Sequence, residues 1–185
     1  MRVLRNRRLI ALLVGVIAVT GLASLFGAGL ILASQQGKRP VVGASAPDFS
    51  LPLYPDYNAG FGETIRLSSL RNRVVVINFW ASWCLECRKE APGLEATYRK
   101  YKDRGLVVLG VDYLDTEASA LAYLREYDTT YPVGIDIQQQ VARVYRITGV
   151  PETFVVDKRG VIRFVAIQRV SEAELEAVIE PLLNE

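Results

Sequence analysis

Hydrophobic positions along the chain fall into runs of different kinds. From Leu9 to Ala33 no charged residue occurs for 25 positions. As a helix this run spans about 37 Å, enough to cross a hydrocarbon core of roughly 30 Å. Val74 to Trp80 is a continuous β-type run, the pattern of a strand covered on both faces. Leu106 to Val111 is a second such strand, and Val133 to Ile135 a short third. Between them the period changes. Leu94, Tyr98 and Tyr101 fall at i, i+4 and i+7 and predict a helix over 87–101. Leu121 and Leu124 predict one over 117–127, and 138–145 reads as a short helix. Phe154 to Asp157, a Lys158-Arg159-Gly160 turn and Val161 to Ile167 predict a hairpin. The last helix is predicted over 171–183, with Ser171 and Glu174 spaced as a capping box. Residues 47–68, rich in Pro and Gly, predict short strands and turns. The order implies an α/β domain with a mixed sheet and helices on both faces.

Charge divides the chain in two. Residues 1–39 carry six basic residues and no acid, whereas 40–185 carry 16 basic and 20 acidic residues. Arg2, Arg5, Arg7 and Arg8 precede the uncharged run and only Lys38 and Arg39 follow it, so the basic side is expected in the cytoplasm. The expected organisation is a cytoplasmic N-terminus at 1–8, a transmembrane anchor at 9–33, a tether at 34–43 and a folded domain at 44–185 outside the cytoplasm. A cleaved signal peptide is the competing reading. Its apolar region is shorter and ends in an A-x-A-like site, for which Ile31-Leu32-Ala33 is a poor candidate. The acidic body argues against nucleic-acid binding. Histidine is absent and the only cysteines are Cys84 and Cys87. That excludes Cys-His and Ser-His dyads, a disulfide framework and a four-cysteine zinc site. No cofactor or metal is expected.

The chemistry concentrates at Trp83-Cys84-Leu85-Glu86-Cys87, at the junction of a buried strand and a helix. Free N–H groups and the dipole at a helix N-terminus stabilise a thiolate at the first cysteine, making it the nucleophile. The second, one turn on, resolves a mixed disulfide. A zinc half-site lacks two further ligands, and haem attachment needs a histidine where Arg88 stands.

The run Asn78-Phe79-Trp80-Ala81-Ser82-Trp83-Cys84, with Cys87-Arg88-Lys89-Glu90 and Pro92, resembles the thioredoxin superfamily. More narrowly it is similar to the membrane-anchored TlpA, ResA and CcmG/DsbE group. Ala46-Pro47-Asp48-Phe49 and Gly149-Val150-Pro151-Glu152-Thr153-Phe154 agree, and the resemblance spans about residues 43–183. It implies a thioredoxin fold with an N-terminal β extension. It also implies an extracytoplasmic protein-disulfide reductase, most narrowly of cytochrome c maturation. Its substrate would be apocytochrome c or a haem-ligation component, and its electron donor a membrane relay of CcdA or DsbD type. By the same resemblance Glu90 is the active-site acid, standing in for thioredoxin's buried aspartate at the position of Asn78. Pro151 is the cis-proline facing the cysteines, with the Val150 backbone pairing to a substrate strand. Glu152 shapes the substrate groove, Trp83 covers the disulfide and contacts substrate, and Pro92 marks a helix kink.

The chain departs from the group between the cysteines, where Leu85-Glu86 replaces the common Glu-Pro. An N–H restored at 86 is expected to reach the Cys84 thiolate. The Glu86 charge is expected to oppose thiolate formation, with Arg88 as the cation that offsets it. Three other readings stay open: a broad-range extracytoplasmic reductase or oxidant, a thiol peroxidase, and a tethered metal-binding protein of thioredoxin fold. The peroxidase wants a Thr-x-x-Cys nucleophile, whereas residue 81 is Ala; the metal carrier wants a distal histidine.

Overall fold

A computed structural model describes residues 39–185. The expected anchor at 9–33, the segment before it and most of the tether lie outside the described residues. Among the described residues no helix is long and apolar enough to cross a membrane.

The strands are β1 (Ser50–Pro52), β2 (Thr64–Arg66), β3 (Val74–Trp80), β4 (Leu106–Asp112), β5 (Val133–Ile135), β6 (Glu152–Val156) and β7 (Ile162–Ala166). The helices are α1 (Leu85–Tyr101), α2 (Glu117–Glu126), α3 (Gln140–Tyr145) and α4 (Glu172–Asn184). β1 and β2 form a small antiparallel pair, and the central sheet runs β5-β4-β3-β6-β7. β3, β4 and β5 are parallel, β6 runs against them, and β7, antiparallel to β6, runs in their direction again.

All seven residues of β3 are buried because both of its faces are covered. Val74, Val76 and Trp80 pack with α1, α2 and α4. Val75, Ile77 and Phe79 pack with α3 and the N-terminal extension. Phe79, Phe154 and Tyr145 meet edge-on or tilted at centroid distances of 5.0–6.0 Å. Truncating Phe79 to Ala would cost about 3–5 kcal/mol.

The N-terminal extension also borders the sheet. At one edge Gly43 N–H donates to the Ile162 carbonyl at 2.8 Å and Ala46 N–H to that of Gly160 at 2.9 Å, alongside a Ser45–Val161 bridge. At the other, Leu53 bridges Gly134 and Tyr54 N–H donates to the Val133 carbonyl at 2.9 Å. Gly134 is required there: a Cβ would stand 2.1 Å from the Pro52 carbonyl oxygen.

Two local outcomes differ from the sequence expectation. Helix α3 starts at Gln140, because Gln138 and Gln139 adopt left-handed backbone. The Asp136 carboxylate reaches past them to accept from Val141 and Ala142 N–H at 2.9 and 2.8 Å. It satisfies the free helix donors that a capping residue would otherwise take. Helix α1 opens at Leu85, two residues earlier than its apolar period indicates, because Cys84 itself caps it. The Ser171–Glu174 capping box starts α4 as its spacing predicts. Gly93 lets that start approach α1: a Cβ there would lie 3.3 Å from the Glu172 Cβ. This contact carries Val170, just before α4, over the middle of α1.

Candidate active site

β3 ends at Trp80 and the chain turns through Ala81, Ser82 and Trp83 into α1. Cys84 occupies the cap position with extended backbone (φ −84°, ψ 113°). Its Sγ accepts from the Cys87 N–H at 3.1 Å. The donor that reaches Cys84 is thus that of Cys87, one turn on, which is the geometry of an N-cap acceptor. The expectation for residue 86 rested on the dipeptide alone. Cys84 and Cys87 are disulfide-bonded, with Cα atoms 5.3 Å apart. Cys84 is 6% exposed and Cys87 fully buried. An incoming sulfur therefore meets Cys84 first.

The expected roles of the neighbouring charges change in detail. Glu86 is exposed and pairs with Lys89 at 2.5 Å and Arg169 at 3.4 Å. The hydrogen bond from Lys89 is the main influence holding its pKa below the usual value. Arg88 does not offset it. Its side chain bonds the Ser82 carbonyl at 3.0 Å and Glu126 at 2.9 Å, and its guanidinium lies 5.6 Å from the Tyr123 ring centre. Geometry decides this: Lys89 follows Glu86 by one helical turn, whereas Arg88 points toward α2.

Glu90 is 3% exposed. Asn78 Nδ2 donates to its Oε1 at 2.8 Å and Val170 N–H to its Oε2 at 3.2 Å. Asn78 also donates to Thr153 Oγ1 at 3.0 Å. Burial pushes the Glu90 carboxyl up to about 7; the two donors and Arg169 oppose the shift, and Glu86 adds to it. Asn78 and Glu90 together thus form one buried unit, with Glu90 one helical turn after Cys87 on α1.

The Val150–Pro151 peptide bond is cis. The Val150 carbonyl oxygen lies 3.5 Å from Cys84 Sγ. In the reduced protein a Cys84 thiol can donate to it. Trp83 is 61% exposed, and its indole N–H donates to the Leu114 carbonyl at 3.1 Å. Glu152 is turned inward. Thr148 N–H and Oγ1 donate to its Oε1 at 2.6 and 2.9 Å, and Arg39 pairs with its Oε2. Cys84, Cys87, Glu90, Val150 and Pro151 are therefore brought to one place. Trp83 stands at the rim, and Glu152 lies behind the loop that carries Val150.

Several residues around the site carry no sequence signal of their own. Asp115 Oδ2 accepts from Ser82 N–H at 2.5 Å, tying the β4–α2 loop to the turn before Cys84. Leu114, 57% exposed, adopts left-handed backbone (φ 51°) in that loop. Tyr123 donates to the Cys87 carbonyl at 2.9 Å and stacks on Trp80 at 4.4 Å. Asp112, buried at the end of β4, accepts from the Tyr54 hydroxyl at 2.7 Å. Burial pushes its carboxyl up to about 7; the Tyr54 hydrogen bond opposes this, and Asp115 and Asp136 add to it. Its Oδ1 and Trp80 Nε1 find no partner among the described residues. Their strand positions are register partners.

A mixed sheet flanked by helices, a Cys-x-x-Cys disulfide capping a helix and a facing cis-proline define a thioredoxin-fold thiol-disulfide oxidoreductase. The comparisons agree. Residues 42–165 match the AhpC/TSA family, and the chain belongs to it. It is 34% identical over 163 residues to the thiol:disulfide interchange protein DsbE of Allochromatium vinosum, covering 88% of this chain and 86% of that one. It is 31% identical over 141 residues to the thiol-disulfide oxidoreductase ResA of Geobacillus kaustophilus, covering 76% and 78%. Among solved structures, a thioredoxin-family thiol:disulfide interchange protein from Chlorobium tepidum superposes with a TM-score of 0.65 at 25% identity, covering 80% of this chain and 99% of the other.

Proposed function

We propose that this thiol-disulfide oxidoreductase is a membrane-anchored, extracytoplasmic protein-disulfide reductase of cytochrome c maturation. The observation that carries the reading is one near-accessible cysteine facing the Val150 carbonyl before the cis-proline, with its buried partner one helical turn before an acid whose pKa is about 7. The similarity to DsbE and ResA supports the substrate class. The arginines before the 25-residue uncharged run support residues 9–33 as the anchor and the placement outside the cytoplasm.

In the reduced protein the Cys84 thiolate, stabilised by the Cys87 N–H and the helix dipole, attacks one sulfur of a substrate disulfide. A Cys84–substrate bond forms, the substrate S–S bond breaks, and one substrate thiolate leaves. Glu90 takes the Cys87 proton. The Cys87 thiolate then attacks Cys84 Sγ and releases the second substrate thiolate. Two electrons have passed to the substrate, and the Cys84–Cys87 disulfide seen here is the product. Trp83 and the Val150–Pro151 backbone hold the substrate chain, with Glu152 supporting that loop. A membrane donor of CcdA or DsbD type returns two electrons.

Cys87→Ser tests the substrate. It should trap a Cys84 mixed disulfide with an apocytochrome c or haem-ligation component. Capture of many unrelated exported proteins would overturn the maturation role in favour of a broad-range enzyme. Peroxide consumption by the reduced protein would favour the peroxidase. The reduction potential is expected nearer thioredoxin's, about −270 mV, than DsbA's, about −120 mV. A value above about −150 mV would reverse the direction assigned.

A further inference from the structure

We propose that Arg39 is a positioning residue for the substrate loop, which it holds through Glu152. The proposal rests on the reading that Val150 and Pro151 bind the substrate chain. Arg39 stands at the start of the described residues, within the segment 34–43 expected as a tether. Its side chain is nevertheless only 28% exposed and engages three groups. One guanidinium nitrogen pairs with Glu152 Oε2, and another donates to the Arg146 carbonyl at 3.3 Å. The planar group lies 5.9 Å from the centre of the Phe154 ring. A side chain that merely followed a linker would not be held from three directions.

Glu152 explains the arrangement. It opens β6 opposite Phe79, and its side chain is 1% exposed. A buried carboxylate is costly unless it is paired and its lone pairs are met. Thr148 meets Oε1 through its N–H and hydroxyl, which leaves Oε2 to Arg39. The Glu152 side chain thereby reaches back to Thr148 and closes a ring over Thr148, Gly149, Val150, Pro151 and Glu152. The Val150 carbonyl, 3.5 Å from Cys84 Sγ, is the part of that ring nearest the nucleophile. Arg146, whose carbonyl Arg39 also holds, begins the loop in left-handed backbone (φ 50°). Arg39 thus fixes both ends of one loop, and only arginine's fork reaches both acceptors from a single side chain. Without it the buried carboxylate is left with one oxygen unpaired or turns toward water, and either outcome slackens the Thr148 end. Loop looseness weakens binding of an extended chain and leaves the sulfur chemistry untouched.

The full 185-residue chain tests this with two disulfides. One is an extended peptide with an oxidised Cys-Ala-Ala-Cys-His segment; the other is glutathione disulfide, too small to span the loop. Arg39→Gln should raise KM for the peptide roughly tenfold, as for a lost charge-assisted bond, with kcat and the glutathione disulfide rate unchanged. Arg39→Lys should fall between, and it carries the test alone if the glutamine variant does not fold. Adding Glu152→Gln to Arg39→Gln should restore most of the peptide KM, because Gln keeps an acceptor for Thr148 and has no charge to compensate. An unchanged peptide KM in Arg39→Gln, equal loss with both disulfides, or no recovery in the double variant would each overturn the proposal. Pro151→Ala separates the two levels. If it leaves the peptide KM unchanged, the reading of the substrate loop fails, whatever Arg39 does.

Discussion

Two buried glutamates lie on opposite faces of the sheet near the cis-proline, and they are handled in opposite ways. Glu90 receives only neutral donors, Asn78 and the Val170 N–H, and burial lifts its pKa to about 7. Glu152 receives a guanidinium as well as Thr148. A buried acid without a cation sits at the balance point between its two protonation states, so it can exchange a proton. A buried acid tied to a cation and to further donors is held in place and serves as a strut. The same residue type thus becomes a moving part or a fastening according to one neighbour.

The largest test removes the moving part. Glu90→Gln should slow the reaction of Cys87 by about 10²-fold at neutral pH, in the range of lost general acid–base catalysis. The inflection near pH 7 in stopped-flow reduction rates should vanish with it. An unaltered pH profile would make Glu90 a second strut.

Next comes the strut. Glu152→Gln should lower stability by roughly 1.5–3 kcal/mol, the worth of hydrogen bonds to a charged group, measured by urea unfolding at pH 8. Glu90→Gln should move stability the other way at that pH. A carboxyl whose native pKa lies above its unfolded value of about 4.3 costs nothing below that value. It costs progressively more as pH rises toward its native pKa near 7, and the full amount above it. Replacing the carboxyl removes that cost. Variants that shift stability in the same direction at pH 8 would erase the distinction.

Asp112 sharpens the comparison with a third case. It too is buried without a cation and has a pKa of about 7. Asp112→Asn should therefore stabilise the protein above pH 7 by about 1–3 kcal/mol, with little change below about pH 4. The same unfolding series at several pH values checks this.

The smallest effect is expected at Glu86, whose charge Lys89 and Arg169 already balance. Glu86→Gln should shift the reduction potential by less than about 30 mV, a tenfold change in the equilibrium constant. Equilibration with glutathione buffers measures it.

Much of this was legible in the sequence where the signal is local. The runs of β3 and β4, the α4 capping box and the Cys-x-x-Cys junction each depend on residues close together in the chain. The cis-proline was legible through resemblance, which also marked Glu90 as a candidate acid. What escaped are pairings over long separations. Nothing near Asp115 says that it will hold Ser82, 33 positions away, and nothing near Arg39 points to Glu152, 113 positions away. Asp112 escaped because a lone acid ending an apolar strand reads as solvated until its neighbours are known. The short helix at 138–145 was overextended because Asp136 does its capping from four residues before Gln140.

The bridges that the N-terminal extension makes at β5 and β7 bear on how such a domain behaves in a crowd. Open sheet edges are templates on which other chains can add, the first step toward aggregation. Here residues 43–46 occupy the start of one edge and Leu53–Tyr54 the other, while Arg163 adds charge to the remainder of β7. An exchange enzyme must accept extended, partly unfolded chains at high local concentration without letting them stack along its sheet. A chain trimmed to begin after Tyr54 would keep its cysteines and lose that protection. Its failure would show as turbidity before it showed as lost activity.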